Sequence, residues 1–212
     1  MRTAAVLPVK SFGIAKSRLG SAFPHRPTLA EAMVGDVLAA LGQVPGLDDV
    51  IVVTAEPAAA RAADAAGAHV VHDPEEAGQS AAASRGIDAA VERGAGRALL
   101  VPGDCPALNP AEVMQLLART AAVVIVPDRH GTGTNALLLT PPSAIAPAFG
   151  TGSFARHSAL AGGRAEVCEV PSLRLDVDTP DDLQALRAAL AAHAGGAPRT
   201  RALLDAHASA AA

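Results

Sequence analysis

Aromatic residues are almost missing from this chain: its 212 residues include no tryptophan, no tyrosine and four phenylalanines. Half of the residues are hydrophobic, but alanine supplies much of that half, so valine, leucine and isoleucine must build the core. The length is sufficient to bury such a core. We therefore expect a single domain over residues 1–193, followed by an Ala/Gly-rich tail over residues 194–212 that packs poorly.

An excess of positive charge and long apolar runs are missing as well. The net charge is −4, whereas proteins that bind nucleic acid are normally basic. No apolar run approaches the length that crosses a bilayer, and the N-terminus is a poor secretory signal. The two cysteines, Cys105 and Cys168, stand in unlike contexts, which predicts reduced thiols and a cytoplasmic protein. We expect no nucleic-acid or membrane partner, while a local cluster of cations can still hold a small anion.

Short apolar runs alternate with helical patterns along the first half of the chain. Four such alternations are typical of a parallel sheet with right-handed crossovers. The second half has less helix between its apolar runs, which predicts antiparallel additions. The predicted fold class is α/β, with three layers and a mixed, mostly parallel sheet. The strand-like runs cover residues 4–9, 49–54, 68–73, 97–104, 122–128, 135–140, 166–170 and 173–177.

The loop after the first predicted strand is cationic. In open α/β sheets, ligands bind beyond the carboxyl ends of the strands, where the strand order reverses. In the segment VLPVKSFGIAKSRL, the loop after the strand contains Lys10, Gly13, Lys16 and Arg18. Glycine permits unusual backbone angles, and ammonium, guanidinium and backbone N–H groups can hold phosphates. The loop indicates either a site for a nucleoside triphosphate or a solvated basic segment.

Aspartates follow two of the later strand-like runs. Asp104 lies in VPGDCPAL, and Mg²⁺ prefers one or two carboxylates together with substrate phosphates, although a turn or a helix cap would also use an aspartate. In LRLDVDTP, alternation places Arg174, Asp176 and Asp178 on one face of a predicted strand. Asp178 can serve the N-terminus of the following helix, which favours negative charge. Asp176 has no such local role, so Asp104 and Asp176 are the candidate metal ligands.

Two further loops are rich in small residues, DRHGTGTNALLL and FGTGSFARHSAL. Their hydroxyls, backbone N–H groups and the helix start near Ser153 can bind an anion, although a tight hairpin and an ordinary helix cap explain them equally well. Two separated carboxylates together with phosphate-holding loops indicate a metal-assisted transfer of a nucleotidyl or glycosyl group.

Five segments in this order resemble the guanylyltransferases of deazaflavin coenzyme F-420 biosynthesis, which act on phosphoenolpyruvate or 2-phospho-L-lactate. The segments are VLPVKSFGIAKSRL, VPGDCPAL, DRHGTGTNALLL, FGTGSFARHSAL and LRLDVDTPDDL. The resemblance implies a fold similar to molybdenum-cofactor guanylyltransferase and other nucleotide-diphosphosugar transferases. It implies a reaction that joins GMP from GTP to phosphoenolpyruvate and yields enolpyruvoyl-2-diphospho-5'-guanosine and pyrophosphate. 2-Phospho-L-lactate and 3-phospho-D-glycerate stay open as acceptors.

The resemblance also implies a catalytic set. Lys16 and Arg18 would hold the phosphates of GTP, and Asp104 and Asp176 would bind Mg²⁺, the implied cofactor. The expected small-molecule partners are GTP and a three-carbon phospho-acid. The next enzyme of the pathway and a second copy of this chain stay open as protein partners.

Substrate-binding residues are carried over in the same way. The phospho-acid would contact Thr134, Gly150 and Ser153, and the nucleotide would contact Pro8, Val9, Lys10, Lys16 and Ser80. Ser80 stands where related chains have asparagine, and its hydroxyl reaches less far than an amide. This departure leaves the recognition of the base or of the acceptor open.

Three other functions fit parts of the pattern. A molybdopterin nucleotidyltransferase usually has a glycine-rich first loop of the LAGG type, which LPVKSFG lacks. A catalytically silent nucleotide-binding domain would not need Asp104 and Asp176. A glycosyltransferase normally has a D-x-D motif where this chain has GDCP.

Overall fold

The computed structural model describes residues 1–13, 16–23, 25–192 and 196–210. Within these residues, seven strands form one sheet in the order β3-β2-β1-β4-β6-β5-β7. The strands are β1 Thr3–Val9, β2 Asp49–Thr54, β3 His69–His72, β4 Arg97–Leu100, β5 Val123–Pro127, β6 Thr134–Leu139 and β7 Glu166–Val167. Only β6 runs antiparallel to its neighbours β4 and β5, so the sheet is mixed and mostly parallel, as predicted.

Helices cover both faces of the sheet. They are α1 Arg26–Leu41, α2 Pro57–Ala65, α3 Gln79–Glu92, α4 Pro110–Leu117, α5 Ser153–Leu160, α6 Pro180–Ala192 and α7 Pro198–Ala210. Side chains alternate along β1, so Leu7 belongs to the apolar cluster that includes residues of α1, α2 and α4, while Val6 belongs to the cluster with α3 on the opposite face. The predicted three-layer α/β class is confirmed. None of the helices in the described part of the chain has the length and hydropathy that a membrane span requires.

The order of the strands determines where a site can form. β1 pairs in parallel with β2 on one side and with β4 on the other, so the chain reverses its direction of winding between β1 and β4. Because β6 is antiparallel, its first residue, Thr134, lies opposite Pro127 at the end of β5. The loops after β1, β3 and β4 and the start of β6 therefore share one edge of the sheet.

The strand predicted at residues 173–177 is wrong. Pro171–Arg174 forms a short 3₁₀ helix, and the following residues up to α6 are irregular. Side chains bind the backbone where the predicted strand would begin: Leu173 O accepts from Asn135 Nδ2 at 2.7 Å, and the N–H of the preceding Ser172 donates to Glu112 Oε2 at 2.9 Å. The run predicted at residues 166–170 is a strand only over Glu166–Val167.

The prediction of a poorly packed tail is wrong for α7, which packs against α1. Asp36 of α1 has a fully buried side chain that accepts hydrogen bonds from Arg199 N at 3.1 Å and Thr200 N at 2.8 Å. This carboxylate caps the first turn of α7, and Leu204 is buried on the inner face of the helix. An Ala/Gly-rich composition does not show such a cap because the cap comes from a distant helix. Residues 194, 195, 211 and 212 of the predicted tail lie outside the described residues.

Candidate functional site

A cleft of about 380 Å³ opens at the carboxyl ends of β1, β3 and β4. This volume lies within the usual range of small-molecule sites. Four of the five residues predicted to contact a nucleotide line it, namely Pro8, Val9, Lys10 and Lys16. Asp104 lines it as well, so the loop after β1 and the loop after β4 meet in one cavity.

Lys16 is the central cation of the cleft. It is 8% exposed, and its Nζ donates to Asp104 Oδ2 at 2.5 Å and to Asp178 Oδ1 at 2.9 Å. Its φ of 58° lies in the left-handed region, which is uncommon for a residue with a side chain. Burial disfavours the charged ammonium, but the two carboxylates outweigh burial and raise the pKa of Lys16 above its ordinary value. Lys16 therefore stays cationic across the physiological range of pH.

Asp176 lies beside this ion pair. Val177 N donates to Asp104 O at 3.2 Å, which holds the 176–178 segment next to the loop after β4. Asp176 Oδ1 accepts from Asn135 Nδ2 at 2.9 Å. Burial, followed by the negative charges of Asp104 and Asp178, raises the pKa of Asp176 to about 6. Three carboxylates thus influence one another while a single ammonium contacts two of them.

This excess of negative charge fits a divalent cation. Asp104 and Asp178 both contact the Lys16 ammonium, so their carboxylates can face one positive charge together. The described residues contain no ready-made group of three or more His, Cys, Asp or Glu ligands. Mg²⁺ does not require one, because it is usually bound by one or two carboxylates together with phosphate oxygens and water.

Asp178 is a site residue that the sequence left unassigned between helix capping and the site. Thr179 and Asp182 cap the helix together, since Asp182 Oδ2 accepts from Thr179 N at 2.7 Å and from Thr179 Oγ1 at 2.8 Å. Thr179 Oγ1 in turn accepts from Asp182 N at 3.3 Å, which completes a capping box. The Thr-x-x-Asp spacing of a capping box is present in the sequence, and it indicates that Asp178 is not needed to cap the helix.

Thr134 and Ser153 form one buried network with His157. Thr134 N donates to Ser153 Oγ at 2.9 Å, and Thr134 Oγ1 lies 2.9 Å from His157 Nδ1. His157 Nε2 accepts from Ala148 N at 2.8 Å, so the proton of the neutral ring is on Nδ1 and is donated to Thr134. Burial, followed by the charge of Arg156, lowers the pKa of His157 to about 4. Both hydroxyls act as acceptors within this network and keep their own protons for a further acceptor.

The loop before α5 is held in place from two sides. Arg156 donates to the carbonyl oxygens of Ala148 and Phe149, and Ser80 Oγ accepts from Phe149 N at 2.9 Å. Gly150 has a φ of 103°, which only glycine adopts easily. Ser80 thus supports the loop that carries Gly150, whereas we predicted a contact with the nucleotide.

Arg18, the other predicted phosphate ligand, is exposed and lies outside the lining of the cleft formed by the described residues. Two acidic residues that sequence analysis missed hold the loop after β1. Ser11 N and Oγ donate to Glu76 at 2.6 and 2.7 Å, and Phe12 N donates to Glu56 Oε2 at 2.9 Å. The Ser11 bonds lower the pKa of Glu76. No local pattern links residues so far apart.

Comparisons with known proteins agree with this geometry. Residues 3–194 match the family model described as guanylyl transferase CofC like. The chain is 51% identical to a phosphoenolpyruvate guanylyltransferase of Conexibacter woesei, over 97% of this chain and 96% of that one. It is 40% identical to a phosphoenolpyruvate guanylyltransferase of Sphaerobacter thermophilus, over 88% of this chain and 93% of that one.

Among solved structures, one from Desulfovibrio desulfuricans G20, described as a nucleotide-diphospho-sugar transferase, superposes with a TM-score of 0.75 at 18% identity and covers 99% of this chain and 96% of that one. This likeness confirms the predicted fold. The match to the family model covers most of the chain, and the likeness to curated relatives extends over nearly its whole length. The chain therefore belongs to the guanylyl transferase CofC-like family.

Proposed function

We propose that this protein transfers GMP from GTP to the phosphate of phosphoenolpyruvate, yielding enolpyruvoyl-2-diphospho-5'-guanosine and pyrophosphate in coenzyme F-420 biosynthesis. The observation that carries the proposal is the buried Lys16 ammonium, which contacts Asp104 and Asp178 at the reversal point of the sheet. The names of the two relatives, at 51% and 40% identity, support the acceptor. A cytoplasmic location, as predicted from the cysteines, is consistent with the use of GTP.

The chemistry follows from the charges of the reactants. An oxygen of the acceptor phosphate attacks the α-phosphorus of GTP, and the bond from that phosphorus to the oxygen bridging to the β-phosphorus breaks. A phosphate monoester is already ionised near neutral pH, so no general base is required. Both reactants are anions, and holding them together in line can supply ~7–11 kcal/mol of the barrier reduction.

Lys16 supplies the positive charge that the protein itself brings to the phosphates. An ammonium has three N–H donors, and Lys16 uses two of them on Asp104 and Asp178. None of the described residues accepts from the third donor, which is left for a phosphate oxygen. The exposed Lys10, which also lines the cleft, adds a second cation near the same place.

Asp104 and Asp176 would hold Mg²⁺, with Asp178 beside them. When bound, Mg²⁺ neutralises phosphate charge and favours departure of pyrophosphate. Asn135 orients Asp176 through the 2.9 Å hydrogen bond to its Oδ1. With a pKa of about 6, Asp176 is largely ionised at neutral pH and thus able to bind a cation.

The phospho-acid would be held at the start of β6 and of α5. Thr134 and Ser153 each keep a hydroxyl proton that the buried network does not use. Gly150, with its positive φ, shapes the loop beside them. Because His157 keeps Thr134 in a fixed orientation, the hydroxyls are preorganised for an anion.

Pyrophosphate release tests this proposal. Purified protein is supplied with GTP and Mg²⁺ and with phosphoenolpyruvate, 2-phospho-L-lactate or 3-phospho-D-glycerate in separate reactions. We expect turnover with phosphoenolpyruvate and its loss in Asp104→Asn and Asp176→Asn variants. Turnover with only one of the other two acceptors would show that this acceptor, and not phosphoenolpyruvate, is the substrate. GTP binding without turnover on any of the three acceptors would contradict the transferase function.

A further inference from the structure

Asp73 is a buried carboxylate in the wall of the cleft. It follows β3 directly, its side chain is 6% exposed, and its backbone N–H donates to Thr54 O at 3.1 Å. Its Oδ1 is buried and accepts no hydrogen bond from the described residues, although Arg85 Nε lies 3.3 Å away. A buried carboxylate oxygen without a donor is costly, which indicates that a ligand supplies the missing donor.

The position of Asp73 indicates which part of a nucleotide it meets. β3 is three strand spacings away from β4, or about 14 Å, and Asp104 follows β4. The phosphates belong with Lys16 and Asp104 at the reversal between β1 and β4. An extended nucleotide that has its phosphates there would place its base at the end of β3.

The start of α3 complements this carboxylate. Gly78 precedes the helix with a φ of 107°, and no side chain among the described residues caps the first backbone N–H groups of α3. Such N–H groups have no acceptor within the helix. Gly78, Gln79 and Ala82 line the cleft together with Asp73, so acceptor and donor groups face the same cavity.

We infer that Asp73 selects guanine by accepting hydrogen bonds from its N1–H and 2-amino groups, while the first N–H groups of α3 donate to its O6. Guanine presents two neighbouring donors beside an acceptor, whereas adenine has an acceptor at N1 and cytosine has one at N3. The ion pair with Arg85 holds the carboxylate in place without using a hydrogen bond. This inference rests on the proposed function, because it assigns to Asp73 the selection of GTP over other nucleoside triphosphates.

The test exchanges one donor-acceptor pattern for another. Xanthosine triphosphate carries an oxygen where guanine has its amino group, and an asparagine amide can donate to that oxygen while its carbonyl accepts from N1–H. In the wild type we expect kcat/KM for GTP to exceed that for xanthosine triphosphate by about 100-fold. In Asp73→Asn the order should reverse. Asp88→Asn, an exposed position on α3, is the matched control and should keep the wild-type order.

A proportional loss with both nucleotides in a folded Asp73→Asn variant would overturn the inference, as would equal use of both nucleotides by the wild type. If this variant does not fold, Asp73→Ser provides the second test. Its preference for GTP over inosine triphosphate, which lacks the 2-amino group, should fall at least about tenfold. An unchanged preference would overturn the inference. Calorimetric binding of the three nucleotides needs no acceptor, so the preference for the base can be measured even if phosphoenolpyruvate fails as substrate.

Discussion

Protonation of His157 should destabilise the protein at mildly acidic pH. The ring is fully buried, and its Nε2 accepts from Ala148 N while its Nδ1 faces Thr134 Oγ1. A second ring proton would place an N–H donor opposite the Ala148 N–H. Burial, followed by the charge of Arg156, therefore lowers the pKa of His157 to about 4 from its ordinary 6.5.

The two pKa values determine the sign and size of the effect. Because the folded-state value is the lower one, the stabilisation is complete above pH 6.5 and is lost as the pH falls towards 4. The full difference corresponds to about 3 kcal/mol of unfolding free energy, and about 2 kcal/mol of it is already lost at pH 5. For a chain of this length, 2 kcal/mol corresponds to a fall in Tm of about 4–8 °C.

Urea unfolding of the wild type and of His157→Gln between pH 8 and pH 5 measures this contribution. Glutamine does not titrate, so the unfolding free energy of the variant should fall by about 2 kcal/mol less than that of the wild type between pH 8 and pH 5. His69→Gln changes an exposed histidine on β3 and should keep the wild-type slope. Parallel pH profiles for the wild type and His157→Gln would refute this account of the buried ring.

Three further predictions concern residues outside this network. Lys16→Met should abolish turnover and lower the free energy of unfolding by about 2 kcal/mol at pH 7, because two partly exposed carboxylates lose their cation. The control Lys10→Met should leave the free energy of unfolding unchanged. Equal stability of the two variants in thermal scans would contradict a stabilising role of the Lys16 ion pairs. Asn135→Ala should raise KM for Mg²⁺ more than KM for GTP, because it frees Asp176, and a uniform loss in kcat alone would argue against this positioning role. Asp36→Ala should lower the free energy of unfolding by about 1–2 kcal/mol and speed amide hydrogen exchange in the first turn of α7 without changing kcat. Unchanged hydrogen exchange in that turn would rule out the capping role of Asp36.

The sequence was most informative where local periodicity reports directly on structure. Alternation of strands and helices predicted the parallel part of the sheet, and therefore the edge at which Lys16 and Asp104 meet. Periodicity was misleading over residues 173–177, where alternating apolar residues resemble a strand. There, Asn135 Nδ2 binds Leu173 O, Glu112 binds the N–H of the preceding Ser172, and the chain forms a short 3₁₀ helix instead.

Composition was misleading at the C-terminus for a similar reason. Alanine, glycine and arginine over residues 194–212 give no apolar stripe strong enough to predict a packed helix. The helix forms on α1 because Asp36 caps it, and the residues of that contact are more than 160 positions apart. A cap supplied from such a distance has no local sequence pattern.

By itself, the sequence determined the α/β class and the cationic loop after the first strand, because each depends on residues close together in the chain; the assignment of Asp104 and Asp176 to a metal stays a prediction. Only the tertiary structure decided that Lys16 contacts Asp104 and Asp178, which are 88 and 162 positions away. It alone brought Asn135 to Asp176 and left Oδ1 of Asp73, in the wall of the cleft, without a hydrogen-bond donor among the described residues. The physical reason is that these contacts depend on the order of the strands, and strand order arises from the packing of the whole sheet rather than from any one segment.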